Sequence, residues 1–180
     1  MVNSDVMSAL ASRWPENKIN PSLDRIKLLL DYLGNPQDGL KVIHIAGTNG
    51  KTSTSRMVER LLRSLDLRTG LFTSPHLNHP RERISIDGSP ISVNNFEEIY
   101  RHVEPFLGLV DEKISDSPLT FFEVLTAMSF VSFADTPVDA VSLEVGMGGS
   151  WDATNVLTPM VSVITPIDLD HQEYLGNTIE

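Results

Sequence analysis

The stretch Lys41-Val42-Ile43-His44-Ile45-Ala46-Gly47-Thr48-Asn49-Gly50-Lys51-Thr52 decides the fold. Its first half, Lys41 to Ala46, is rich in β-branched and apolar residues and reads as a short strand. After Thr52, the residues Met57, Val58, Leu61, Leu62 and Leu65 recur at helical spacing. The order is therefore strand, glycine loop, helix, the setting in which glycines followed by Lys and Ser or Thr cradle a phosphate chain. Glycines let backbone N–H groups approach the phosphates, Lys51 adds a point charge, and the Thr52 hydroxyl is a hard oxygen donor suited to Mg2+. A glycine turn that merely joins a strand to a helix is the competing account, and the flanking elements weigh against it.

Working outward, helical patterns open the chain, the clearer running from Ser22 to Leu33 before Gly34 stops it. A second strand is expected over Arg68 to Thr73. A hairpin follows, with Asp87-Gly88 turning between Arg83–Ile86 and Pro90–Ser92. Helices are expected over Asn94 to Leu107 and Leu119 to Ala134, and strands over Val138 to Val145 and Met160 to Thr165, the last two bounded by Pro or Gly. Gly108 to Pro118 is polar, partly acidic and without a period, and is expected to be a flexible connection. Alternating β and α with crossovers implies a parallel, helix-covered sheet. Asn177-Thr178-Ile179-Glu180 reads as the cap and first turn of a helix that does not continue, which suggests truncation.

Composition narrows the function classes. The 180 residues suffice for one sizeable core, 41% of them are hydrophobic, and the net charge of −10 opposes a general nucleic-acid or anionic-membrane surface. Any phosphate site must be built locally. With no cysteine, disulfides, thiolate catalysis and sulfur-ligated zinc are excluded, and metals must be held by oxygen or imidazole. Met1 to Pro15 lacks the apolar core of a signal peptide, so a cytoplasmic protein is expected, with neither nucleic acid nor membrane as partner.

The remaining chemistry clusters at the expected carboxyl-end rim of the sheet, where open α/β sheets bind ligands. Glu144 ends the strand Val138–Val145 and is placed to hold Mg2+; a solvated carboxylate at a strand terminus is the alternative. Gly146, Gly148 and Gly149 follow it and point to a backbone that approaches something closely. His171 lies beyond the strand Met160–Thr165, and Ser74, His76 and His79 follow the strand Arg68–Thr73. A lone histidine is more often a surface or packing residue than a ligand, and serine beside proline usually shapes a turn.

Taken together, the motifs resemble the folylpolyglutamate synthases and dihydrofolate synthases, relatives of the Mur ligases. The resemblance rests on Gly47-Thr48-Asn49-Gly50-Lys51-Thr52-Ser53, Thr73-Ser74-Pro75-His76-Leu77, Glu82-Arg83-Ile84-Ser85-Ile86-Asp87-Gly88 and Thr120-Phe121-Phe122-Glu123. It continues through Glu144-Val145-Gly146-Met147-Gly148-Gly149, Asp152-Ala153-Thr154-Asn155-Val156 and Asp170-His171, and the wording of Gly146 to Val156 is most similar to actinobacterial members. Ser150 stands where family members commonly carry arginine, which puts a charge contact near the substrate in doubt.

The resemblance implies a three-layer, P-loop NTPase-like α/β fold of the Mur ligase central-domain type, mostly parallel with helices on both faces. It implies one ATP-binding domain over residues 1–180, incomplete at its C-terminal end, and the absence of a glutamate-binding C-terminal domain and of a downstream carbamylated lysine. Gly47 to Ser53 would bind ATP. Thr52, Ser74 and Glu144 would hold one Mg2+, and His171 would ligate a second. Thr120, Phe121, Phe122, Glu123, Trp151, Asp152 and Ala153 would contact a folate or dihydropteroate ring, with core packing the alternative for each phenylalanine. Lys51, Glu144 and His171 are thus the expected catalytic residues, L-glutamate the second substrate, and a monomer the expected state. Two rivals stand: a Mur-type ligase of cell-wall synthesis, opposed by the only 46 residues before Gly47, and a nucleotide-binding module that catalyses nothing.

Overall fold

In the computed structural model, residues 4–15, 21–114 and 117–178 are described. Four strands run parallel, β1 (Val42–Ala46), β2 (Thr69–Phe72), β5 (Ala140–Glu144) and β6 (Val161–Ile164). The hairpin β3 (Ile84–Ile86) and β4 (Ser89–Pro90) adds antiparallel to β2, giving one six-stranded sheet in the order β4-β3-β2-β5-β1-β6. Asp87 and Gly88 take positive φ values of 50° and 77° at the hairpin turn, the conformation of a tight two-residue connection. The hairpin is shorter than the sequence suggests. Arg83 closes a 3-10 turn (Pro80–Arg83), and Ser92 serves as the N-cap of the next helix, its Oγ accepting from the Asn95 N–H at 3.1 Å.

Helices cover both faces. On one side lies α3 (Lys51–Arg63), where Ser142 of β5 donates to the Ser55 carbonyl at 3.0 Å and Thr69 of β2 donates to Glu59 at 2.7 Å. On the other lies α5 (Phe121–Asp135), whose Phe133 packs against Gly70, the next residue along β2 and hence on the opposite face. Residues 123–133 of α5 are buried all round, because α2 (Asp24–Tyr32) and α4 (Val93–Lys113) pack over the side away from the sheet. α1 (Ser4–Ala11) contributes Val6 and Leu10 to the same core. On the side opposite β4, β6 is an edge strand, and Met160, Val161 and Ile164 at this edge are exposed, as are Met57 and Leu61 of α3 and Leu65 just beyond it. Among the described residues no helix is long and apolar enough to cross a membrane.

The expected flexible connection over Gly108 to Pro118 is corrected by the structure: α4 continues through it to Lys113. The buried stripe Phe96, Ile99, Tyr100, Val103, Leu107, Val110 keeps its helical period across Gly108, so packing against the core outweighs the weak local propensity. Pro105 has no N–H to pair with the Arg101 carbonyl one turn earlier, and both residues lie on the exposed side of α4. Asp111 then anchors the end, accepting from Arg13 at 2.5 Å and from the Leu119 N–H at 2.7 Å. A short helix, α6 (Gln172–Leu175), which the sequence did not suggest, precedes bends at Asn177 and Thr178, and Ile179 and Glu180 lie outside the described residues.

Gly108 has ordinary helical geometry and open space where a side chain would sit. Gly108→Ala is therefore expected to stabilise the protein by about 0.5–1 kcal/mol and to raise the thermal midpoint by about 1–4 °C. An unchanged or lowered midpoint in calorimetry would argue against a helix through this residue.

Candidate functional site

The carboxyl ends of the parallel strands converge on a cavity of about 640 Å³ lined by the glycine loop, Ser74, Thr120, Phe122, Glu123, Glu144, Trp151, Asp152, Ala153 and His171. Loops leave β1, β2 and β5 here because the first parallel strands share one direction.

The glycine loop is short, with only Thr48 and Asn49 between Gly47 and Gly50, fewer than in the general phosphate-loop pattern. Gly47 takes φ 129°, and a Cβ there would sit 2.7 Å from the Thr165 carbonyl oxygen, so neither the backbone angle nor the space admits a side chain. Gly50 takes φ 83° as the N-cap of α3. The segment after β6 holds this loop: the Pro166 carbonyl accepts from the N–H groups of Thr48 at 3.0 Å and Asn49 at 3.2 Å. Those two amides are thereby committed, and the donors left for an anion are those of the first turn of α3, Lys51 to Ser53, which have no acceptor within the helix. The Lys51 ammonium folds across the loop, donating to the carbonyls of Gly47 at 2.7 Å and Thr48 at 3.3 Å.

Glu144 is 1% exposed, and its carboxylate accepts from the Thr52 hydroxyl at 2.7 Å and from the Ser74 N–H at 3.4 Å. Burial pushes its pKa up, against those two hydrogen bonds and the positive charges of Lys51 and Arg56. Hydroxyl and carboxylate oxygens side by side fit a hard divalent cation. Among the described residues no group of three or more His, Asp or Glu clusters closely enough to hold a metal ion alone, so water and phosphate oxygens would complete a Mg2+ shell, which is its usual habit. Ser74 reaches Glu144 through its backbone N–H. His171 lines the same cavity from the N-cap of α6, with its Nε2 3.7 Å from Asp170.

The structure separates the two phenylalanines. Phe122 lines the cavity, whereas Phe121 lies under the Arg83 guanidinium at 5.4 Å and beside the His76 ring at 6.3 Å. Thr120 and Glu123 line the cavity while forming a capping box: the Thr120 hydroxyl accepts from the Glu123 N–H at 3.1 Å, and the Glu123 carboxylate accepts from the Thr120 N–H at 2.8 Å. The same carboxylate accepts from Arg25 Nε at 3.1 and 3.3 Å, and Arg25 also donates to Ser117 at 2.8 Å. Much of the hydrogen-bonding capacity of Glu123 is thus spent on α5 and on a buried ion pair. Arg25 and Tyr174, both lining the cavity, were missed by sequence reasoning, since neither belongs to a motif.

His76 and His79 belong to the neighbouring loop. His76 Nδ1 accepts from Arg83 Nε at 3.0 Å, and His79 Nδ1 accepts from the Arg81 N–H at 3.1 Å, capping the 3-10 turn against Phe96. Burial lowers the His79 pKa, with Arg81 adding to the effect. Glu82 gathers the N–H groups of Leu77, Asn78 and His79, which hold its pKa below the usual carboxylate range. Ser150 is exposed, and its carbonyl accepts from Asn155 at 3.1 Å.

Residues 45–180 match the Mur ligase middle domain. The chain is 55% identical over 176 residues to the dihydrofolate synthase/folylpolyglutamate synthase of Mycobacterium tuberculosis, a match covering 94% of this chain and 36% of that protein. A crystal structure of M. tuberculosis folylpolyglutamate synthase complexed with ADP and AMPPCP superposes with a TM-score of 0.89 at 52% identity, over 98% of this chain and 38% of the other. A folylpolyglutamate synthase complex with AMPPCP and folate superposes at 0.90 and 38% identity, over 99% and 43%. The chain thus spans well under half the length of these relatives.

A raised pKa means that folding favours protonated Glu144, so this residue stabilises the fold below the unfolded carboxylate pKa, and that contribution is lost as pH rises through the folded value. At neutral pH its ionised form is a cost. Glu144→Gln is therefore expected to raise the ligand-free thermal midpoint at pH 7 by about 2–4 °C per kcal/mol relieved, and the gain should shrink as pH falls toward 4. A midpoint lowered at pH 7 would contradict this electrostatic account. The glycine loop, the pairing of Thr52 with the buried Glu144 and the matches agree: the chain belongs to the Mur ligase family, on its folylpolyglutamate synthase and dihydrofolate synthase branch.

Proposed function

We propose that this chain is the nucleotide-binding part of an ATP-dependent ligase that joins L-glutamate to a folate-type carboxylate through an acyl phosphate. The observation that carries this reading is the Thr52 hydroxyl 2.7 Å from the buried Glu144 carboxylate, in a cavity also lined by Phe122, Trp151, Thr120 and Ala153. One part of the cavity is built for phosphate and a hard cation. The other is aromatic and apolar, suited to a flat ring. ADP, AMPPCP and folate appear in the named complexes of the relatives, which supports the same ligands here.

In this mechanism a carboxylate oxygen of the folate substrate attacks the γ-phosphorus of ATP and ADP leaves. The glutamate amine in its neutral form then attacks the acyl carbon, the carbon–oxygen bond to the phosphoryl group breaks, and inorganic phosphate departs with that electron pair and takes up the proton released from the new amide nitrogen. A carboxylate is a poor electrophile, and phosphorylation supplies the leaving group. Mg2+, when bound, neutralises charge on the transferring phosphoryl group; Thr52 and Glu144 would hold it, with Ser74 beside them. The N–H groups of the first turn of α3 donate to the phosphate oxygens, and the Lys51 ammonium turns from the loop carbonyls to the phosphates. Phe122 and Trp151 flank the ring. His171 would serve a second cation, completed by groups from the part of the relatives that this chain does not span.

Magnesium-dependent ATP binding, measured by calorimetry on the 180-residue chain, tests the first half of this proposal. Lys51→Ala should abolish binding and His171→Ala should spare it; equal affinity in Lys51→Ala and the parent would sink the phosphate-loop assignment. Phosphate release on adding dihydropteroate and glutamate, gained when the part of the relatives that this chain does not span is supplied, separates a ligase part from a module that only binds.

A further inference from the structure

One buried polar line in the molecule is not used by the mechanism above. His44 lies on β1, 8% exposed and opposite Leu143 of β5, so its side chain shares the α5 face of the sheet, away from Glu144. Its Nε2 is 2.8 Å from Thr154 Oγ1, and Thr154 Oγ1 is 2.5 Å from Asp152 Oδ1. The Asp152 carboxylate also accepts from the N–H groups of Thr154 at 3.0 Å and Met147 at 2.9 Å. Thr154 is fully buried, Asp152 is 4% exposed, and Asp152 lines the cavity.

The donors fix the sense of the line. Burial pushes the Asp152 pKa up, but backbone N–H groups can only donate, so the bonds from Thr154 and Met147 work against that push and favour the carboxylate form. The single Thr154 hydroxyl hydrogen then goes to Oδ1, and the hydroxyl oxygen must accept from His44 Nε2–H. His44 Nε2 therefore carries a hydrogen, and burial pushes the pKa of the imidazole down. Removing either donor would leave a buried acceptor unpaired, which costs more than the bond itself contributed.

We propose that His44 and Thr154 are positioning residues that fix the Asp152 carboxylate and, through the Met147 N–H, the glycine loop after β5 in the cavity wall. The consequence for ligand binding rests on the reading of this cavity as a folate-ring site. The consequence for the loop does not. No motif marks His44, yet it connects the strand that feeds the phosphate loop to the wall on the far side of the cavity.

Two measurements on the 180-residue chain test this. Hydrogen exchange should show the Met147 amide opening on the order of tenfold faster in Thr154→Val and in His44→Leu, with the Leu143 amide in β5 unchanged. Thr154→Ser and His44→Gln, which keep the hydroxyl and a terminal N–H donor, should restore protection. In the same variants folate affinity, read from Trp151 fluorescence, should fall roughly tenfold and recover, while Mg-ADP affinity stays at the parental value. Parental Met147 exchange in both Thr154→Val and His44→Leu would overturn the proposal. A parent that binds ADP but no folate would overturn the ring-site reading and leave the exchange result to decide the positioning role.

Discussion

The register between β1 and β5 is the constraint on which the rest of the site depends. Ile45 pairs with Glu144 across this parallel ladder, so the last residue of β5 comes level with the point where β1 turns into the glycine loop. Side chains alternate along a strand, and a slip of one residue would turn Glu144 to the α5 face and leave Thr52 without its acceptor. The same register puts His44 beside Leu143 on the opposite face, where it meets Thr154. Two polar systems, one on each face of the same pair of strands, thus hang from a single alignment of backbone hydrogen bonds.

Electrostatics at the site run against the average of the molecule. A chain with a net charge of −10 has little general attraction for phosphate, and on the proposed reading the glycine loop would supply it locally through Lys51, the first turn of α3 and the positive charge of Arg56 near Glu144. Glu144 itself is held where ionisation is costly. A cation bound beside it would relieve that cost, so on the proposed reading nucleotide and metal would bind together rather than separately.

The cavity wall is tied together by contacts within the protein itself. Thr120 and Glu123 cap α5, Arg25 ties α2 to that cap, and Asp152 gathers the backbone around it. Each of these residues lines the cavity while its polar atoms are engaged by the protein. On the proposed reading Phe122 and Trp151 would meet a flat ring from a wall whose polar groups are already engaged, so less order would have to be imposed on binding.

The sequence by itself determined the strand–loop–helix unit, the mostly parallel sheet and the identity of the rim residues Glu144, Ser74 and His171, because those follow from local periodicity, turn chemistry and motif spacing. It misjudged α4, since nothing local in Gly108 to Lys113 reveals that Val110 continues a buried stripe set by residues three turns earlier. Only the tertiary structure decided that Phe122 rather than Phe121 faces the cavity, that Thr48 and Asn49 give their amides to Pro166, and that Arg25, Tyr174 and His44 belong to the neighbourhood of the site. These are contacts between residues about a hundred positions apart, such as Arg25 with Glu123 and His44 with Thr154. Neighbouring residues carry no trace of such pairs, because the partners are chosen by how the sheet and helices pack and not by the local pattern of either segment.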